Sequence, residues 1–208
     1  ITFAIDYNHF FIFFAEVYIL YMNKNMASQR IVDQAFFEQP VLTVAPALLG
    51  KVLCRQVTSE IIIKKLIIEV EAYDGIEDKA CHASKGFTQR TAVMFGPGGC
   101  WYVYLCYGIH WMLNIVTGIK GYPSAILLRG VESYIGPGRL TKGLNINKTF
   151  NGLSAVPETG LWIEDVGVVP KKVQQTPRIG IDYAGPVWAA KPYRFVLINS
   201  SGLSYSAE

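Results

Sequence analysis

Seven stretches of alternating, β-branched sequence, at residues 51–57, 61–73, 101–107, 110–117, 125–132, 161–164 and 193–199, constrain this chain more than any other feature. Side chains alternate between the faces of a strand, so each stretch specifies two chemically distinct faces. Short connections divide them: Thr58-Ser59-Glu60 joins the first two, and Asp74-Gly75 ends the second. Helical signals are few. Thr43 with Val44, Leu48 and Leu49, closed by Gly50, predicts a short helix with an N-cap and a glycine stop. A second helical stretch opens at Gly136-Pro137-Gly138, runs through Leu140, Leu144 and Ile146, and ends near Asn151-Gly152. Many strands, few helices and short connections predict an α+β fold: a single domain with a curved, mainly antiparallel β-sheet and a few packed helices.

At 208 residues and 51% hydrophobic content, the chain has ample apolar sequence for one packed core. Residues 1–28 read as an N-terminal extension and residues 29–208 as the domain. The first 25 residues are rich in Phe, Tyr and Ile, but Asp6, Asn8, His9 and Glu16 interrupt them. No stretch reaches the roughly 18 to 20 apolar residues of a membrane span, and no membrane association is expected. The four cysteines have no CxxC spacing and there are only three histidines, so neither a metal site nor a cofactor is expected, and the thiols read as free and buried.

A net charge of +3 is too mild to identify a nucleic-acid binder. The distribution is more informative: residues 79–157 hold eight basic residues against the single acid Glu132, a net of +7, directly after Glu69, Glu71, Asp74, Glu77 and Asp78. Two readings fit, a solvated charged face or a reaction centre beside a polyanion. Within residues 66–73, alternation puts Leu66, Ile68, Val70 and Ala72 on one face, and Glu69, Glu71 and Tyr73 on the other. That second face is either a solvated edge or two carboxylates and a phenol held toward a cleft. The aromatic run Trp101-Tyr102-Val103-Tyr104-Leu105-Cys106-Tyr107-Gly108 puts Tyr102 and Tyr104 on one face, and Trp101 and Tyr107 on the other. Such a run serves a core, or it serves an enzyme that sandwiches an extruded base.

The segments Glu69-Val70-Glu71-Ala72-Tyr73, His82, Thr88-Gln89-Arg90-Thr91, Met94-Phe95, Tyr102 to Gly108, Asn114, Leu127-Leu128-Arg129 and Gly136-Pro137-Gly138-Arg139-Leu140 follow one another in an order and approximate spacing that closely resemble the alkyladenine (3-methyladenine) DNA glycosylase family. The likeness runs from about Phe36 to Phe195. It implies a monofunctional glycosylase that flips alkylated or deaminated purines out of duplex DNA and hydrolyses the N-glycosidic bond in base excision repair. Glu71 would be the general base, and Arg129 would position the water or the target backbone. Tyr73, His82 and Tyr104 would enclose the flipped base. Asn114 would exclude normal guanine through its 2-amino group, and Tyr107 would wedge into the duplex. Arg90, Met94 and Lys142 would either contact the duplex or serve ordinary surface or packing roles, and Glu69 would support the site as the partner of a basic residue.

The implied partner is double-stranded DNA containing damaged purines, bound by a monomer. The implied location is cytoplasmic, at the nucleoid, in a bacterium, or nuclear in a eukaryote. A lyase mechanism needs a nucleophilic amine, and no lysine lies among the matched pocket residues. Glu69 and Glu71, side by side on one strand face, cannot flank a glycosidic bond as a glycoside hydrolase requires. Three positions depart from the family's pattern: Gln89 stands for a proline, Gly130 for a frequent alanine, and Gly98-Gly99-Cys100 is a looser approach than usual.

Overall fold

In the computed structural model, which describes residues 30–198, ten strands follow one another along the chain. They are β1 (Arg30–Ile31), β2 (Val52–Gln56), β3 (Ile62–Asp74), β4 (Trp101–Cys106), β5 (His110–Thr117), β6 (Ser124–Val131), β7 (Tyr134–Ile135), β8 (Leu161–Asp165), β9 (Val173–Thr176) and β10 (Arg194–Leu197). Four α-helices interrupt them: α1 (Gln34–Phe37), α2 (Val41–Leu48), α3 (Pro137–Gly143) and α4 (Pro186–Ala189). The N-terminal extension expected at residues 1–28 lies outside the described residues. The α+β architecture is the one expected, with a single large sheet in the order β1-β8-β2-β3-β6-β5-β4. Every pairing in it is antiparallel.

β3 is the longest strand and the axis of the sheet. Its first half pairs with β2 and its second half with β10, while β6 runs along the other side. Ile67, Val70 and Ala72 join the main core with Val44 and Leu48 of α2, Leu113 and Ile115 of β5, and Leu140 of α3. Burying a side chain such as Ile67 contributes about 1.5–3 kcal/mol. Leu66 and Ile68 face the opposite way, in a smaller cluster with Val52, Cys54, Trp162 and Leu197. The expected grouping of Leu66, Ile68, Val70 and Ala72 on one face therefore fails. The cause is a break in register with β6 between Ile67 and Val70, opposite Gly130. A bulge of this kind turns the strand past one residue and reverses the alternation beyond it. Leu66 and Ile68 thus share their side of the sheet with Glu69, Glu71 and Tyr73. Gly130 makes room for the irregularity: a β-carbon there would stand 3.2 Å from Cβ of Glu69 and 3.4 Å from Cγ1 of Ile68.

Other boundaries move for local reasons. α2 begins at Val41, and Pro40 rather than Thr43 caps it, its carbonyl accepting the amides of Thr43 and Val44. α3 ends at Gly143 rather than near residue 151, because Asn145 takes a left-handed conformation (φ 50°) and the Ile146 amide turns back to the Thr141 carbonyl. β9 had no alternating apolar signal; its polar Val173-Gln174-Gln175-Thr176 becomes a strand by pairing with β10. Trp101 is fully buried and donates from Nε1 to the Leu161 carbonyl. β4 ends at Cys106, so Tyr107 does not share the Trp101 face. It sits in the turn to β5 with φ 51° and is 91% exposed. The four cysteines carry free thiols, those of Cys54 and Cys81 buried and those of Cys100 and Cys106 half-buried.

Candidate active site

The bulge delivers two carboxylates from one strand into a single polar cluster. Glu69 Oε1 accepts from Nε of Arg129 on β6 at 2.9 Å and from Nε of Arg194 on β10 at 2.7 Å. Glu71 has no exposed surface, yet it is fully engaged. Its Oε1 accepts the Ile179 amide at 2.8 Å and lies 3.4 Å from an Arg129 terminal nitrogen, and its Oε2 accepts the Tyr73 hydroxyl at 2.9 Å. Burial pushes the Glu71 carboxyl above the usual carboxylate range, with Glu69 adding to the rise; Arg129, the Ile179 amide and the Tyr73 hydroxyl pull against it. A carboxylate poised this way has more appetite for a proton than one in water.

Tyr73 connects this cluster to a pocket. Its ring lines a cavity together with His82, Met94, Tyr102, Tyr104 and Asn114, and Tyr183 stands at the wall. Glu71 does not line the cavity itself; the Tyr73 hydroxyl is its link to it. Behind Tyr73 lies Arg178, its guanidinium carbon 4.8 Å from the Tyr73 ring centre and 5.3 Å from that of Tyr193. Arg178 is clamped to Asp78 by two bonds of 2.5 and 2.9 Å, both side chains fully buried, and it also donates to the Ala72 carbonyl.

Asp78 accepts the amides of Asp74 and Ala80 as well, which folds the loop after β3 and delivers His82. His82 Nδ1 lies 2.9 Å from the Tyr102 hydroxyl, and its ring meets Tyr104 nearly edge-on at 4.5 Å. These two rings touch, so a base would stack beside the pair and not between them. Burial, then the cations Arg90 and Lys85, push His82 down to about 4 and keep the imidazole neutral. Either partner of this bond can be the donor; in the tautomer where the Tyr102 hydroxyl donates to Nδ1, the imidazole proton is on Nε2. Asn114 is buried, and its amide nitrogen donates to the Tyr102 carbonyl at 3.0 Å.

Around the cavity, Arg90 lies with its guanidinium 5.0 Å from the Tyr104 ring centre. Reciprocal bonds between Thr88 and Thr91 shape the turn that carries it. Lys142 is exposed on α3, whose Thr141 hydroxyl donates to the Trp111 carbonyl and thereby ties the helix to β5 near Tyr107. Of the two readings open for Met94, duplex contact or packing, packing describes its place in the fold. It is 2% exposed and packs with Cys81, Ala83 and Tyr102 on the pocket wall, so as folded it offers no surface to a duplex. Sequence reasoning gave no role to Asp78, Arg178, Ile179 or Tyr183. Arg178 meets Asp78 across 100 positions of chain, and only the return of the β9–β10 segment onto β3 creates that contact.

A family model described as methylpurine-DNA glycosylase matches residues 35–135 and 132–201. Curated relatives with the name "Putative 3-methyladenine DNA glycosylase" include those from three organisms. That from Methanocella arvoryzae is 41% identical over 197 residues, covering 85% of this chain and 97% of the relative. That from Anaeromyxobacter dehalogenans strain 2CP-C is 42% identical over 181 residues, covering 84% and 86%. That from Borreliella burgdorferi is 39% identical over 189 residues, covering 83% and 98%.

Proposed function

Because this chain belongs to the methylpurine-DNA glycosylase family, we propose that it flips alkylated or deaminated purines out of duplex DNA and hydrolyses their N-glycosidic bond. The observation that carries this reading is the linkage of a buried, proton-hungry carboxylate, Glu71, through the Tyr73 hydroxyl to an aromatic pocket. In the proposed reaction, water oxygen bonds to the sugar C1′ while the bond from C1′ to the base nitrogen breaks. The base leaves with the electron pair, and the water proton passes to Glu71. Arg129 steadies Glu71 in its charged form, and the Glu71 carboxylate stabilises the positive charge that develops on the sugar.

The flipped base stacks against Tyr73 and Tyr104, worth about 1–3 kcal/mol per base. His82 supplies a hydrogen bond from Nε2. Asn114, its amide nitrogen committed to the backbone, gives the pocket a fixed polar edge against the guanine 2-amino group. Tyr107, on its exposed turn, fills the gap left in the duplex. Arg90 and Lys142 contact the duplex, and the enzyme works as a monomer on double-stranded DNA, at the nucleoid of a bacterium or in the nucleus of a eukaryote.

The test is a duplex carrying one hypoxanthine. The parent chain should leave an alkali-labile abasic site. Glu71→Gln should slow its formation by about 10²–10⁴-fold while lesion binding is retained. Undiminished excision by that variant would exclude Glu71 as the base.

A further inference from the structure

Resting on the reading of Glu71 as the base, we propose that Glu69 is a positioning residue for excision, holding Arg129 so that a guanidinium nitrogen stays on Glu71. Glu69 is 2% exposed, and guanidinium groups from both flanking strands converge on its Oε1, Arg129 at 2.9 Å and Arg194 at 2.7 Å. A guanidinium is planar, so anchoring Nε largely fixes where its terminal nitrogens go. For Arg129 that place is 3.4 Å from Glu71 Oε1. Arg194 is tied elsewhere by its second bond, to the Thr176 hydroxyl at 3.2 Å. Take away the Glu69 carboxylate and two cations face each other without the anion between them, leaving Arg129 free to turn off Glu71.

The charged and titratable groups that face Glu71 are Arg129 from β6, Arg178 from the segment after β9, and Glu69 and Tyr73 from its own strand. Glu69 and Arg129 act on it in opposite senses: the carboxylate disfavours ionisation of Glu71 and the guanidinium favours it. A bystander Glu69 and a positioning Glu69 therefore predict opposite movements when it is changed. Removing a bystander charge makes Glu71 easier to ionise, whereas releasing Arg129 makes it harder.

The experiment is single-turnover excision of hypoxanthine across about pH 5 to 9, with parent, Glu69→Gln, Glu69→Asp and Arg194→Gln chains, alongside lesion-duplex binding. Glu69→Gln should lose on the order of 10²-fold in rate with little change in binding, and its acid limb should move to higher pH. Glu69→Asp keeps the charge but withdraws it by one methylene, and it should move the limb the same way. Arg194→Gln leaves Glu69 to Arg129 and should leave the limb in place. An acid limb that stays or falls in whichever Glu69 variant folds overturns the proposal, as does a rise in Arg194→Gln equal to that of the Glu69 variants. An active parent with an unmoved limb removes the positioning role alone, whereas a parent that excises nothing removes the reaction and this proposal together.

Discussion

His82 is a charge switch held in the off position. Burial, Arg90 and Lys85 depress its ionisation to about 4, against about 6.5 in an unfolded chain. A depressed folded value means that the unfolded chain takes up the proton first as pH falls. The contribution is therefore fully present above about 6.5 and is lost progressively as pH drops toward about 4. An imidazole NMR titration should give a midpoint near 4, and the folding stability of the parent should fall over that interval more than that of His82→Gln. A midpoint near the free-histidine value would mean that the pocket is open to water and that the ring carries charge in mildly acidic solution. At the same scale, Glu69 and Glu71 look interchangeable in sequence. The structure separates them: one is saturated by two arginines, the other is shared between an amide, a phenol and one arginine.

Two elements decide whether those residues meet. The first is the segment between β9 and β10, locked onto β3 by the Arg178–Asp78 pair and carrying the Ile179 amide to Glu71. Both members of the pair are fully buried, so breaking it strands a charge. Asp78→Ala should cost about 3–5 kcal/mol, read by urea unfolding, and excision should fall as Ile179 and the ring of Tyr73 lose their backing. A loss under about 1 kcal/mol would mean that water reaches the pair. The second is the β4–β5 hairpin, which lifts Tyr107 clear of the protein at a left-handed turn position. Since that side chain is 91% exposed, Tyr107→Ala should leave the unfolding midpoint nearly unchanged while weakening capture of a lesion-bearing duplex. Flipping costs a few kcal/mol, and a lesion affinity unaffected by the change would remove the wedge from the scheme.

Across the whole molecule, charge is arranged so that the buried acids Glu69, Glu71 and Asp78 are neutralised internally by Arg129, Arg178 and Arg194, while Arg90 and Lys142 stand exposed. Duplex binding should therefore weaken steeply with salt, and Lys142→Ala should weaken binding to all duplexes alike and reduce the salt slope by about one; a flat response would contradict a basic DNA face. Much of this plan was legible beforehand. The long β-branched, apolar runs at residues 61–73 and 110–117 located β3 and β5, although most of each strand is buried on both faces and β3 breaks its alternation at the bulge, and the family likeness brought Glu71, Tyr73, His82, Tyr104 and Asn114 to attention together. β9 escaped because pairing with β10, and no pattern of its own, makes it a strand. Met94 had two readings, duplex contact or packing, because a methionine beside a basic turn carries no mark of which way it points; in the fold it is buried. What the sequence by itself determined is seven of the ten strands and the chemistry each of those carries. Only the tertiary structure decided which face that chemistry occupies and which arginine holds which carboxylate. One bulge beside Gly130 reverses the alternation of β3; the arginines that hold Glu69 arrive from strands 60 and 125 positions away, and the amide that holds Glu71 from 108 positions away; packing across such separations leaves no local trace in the chain.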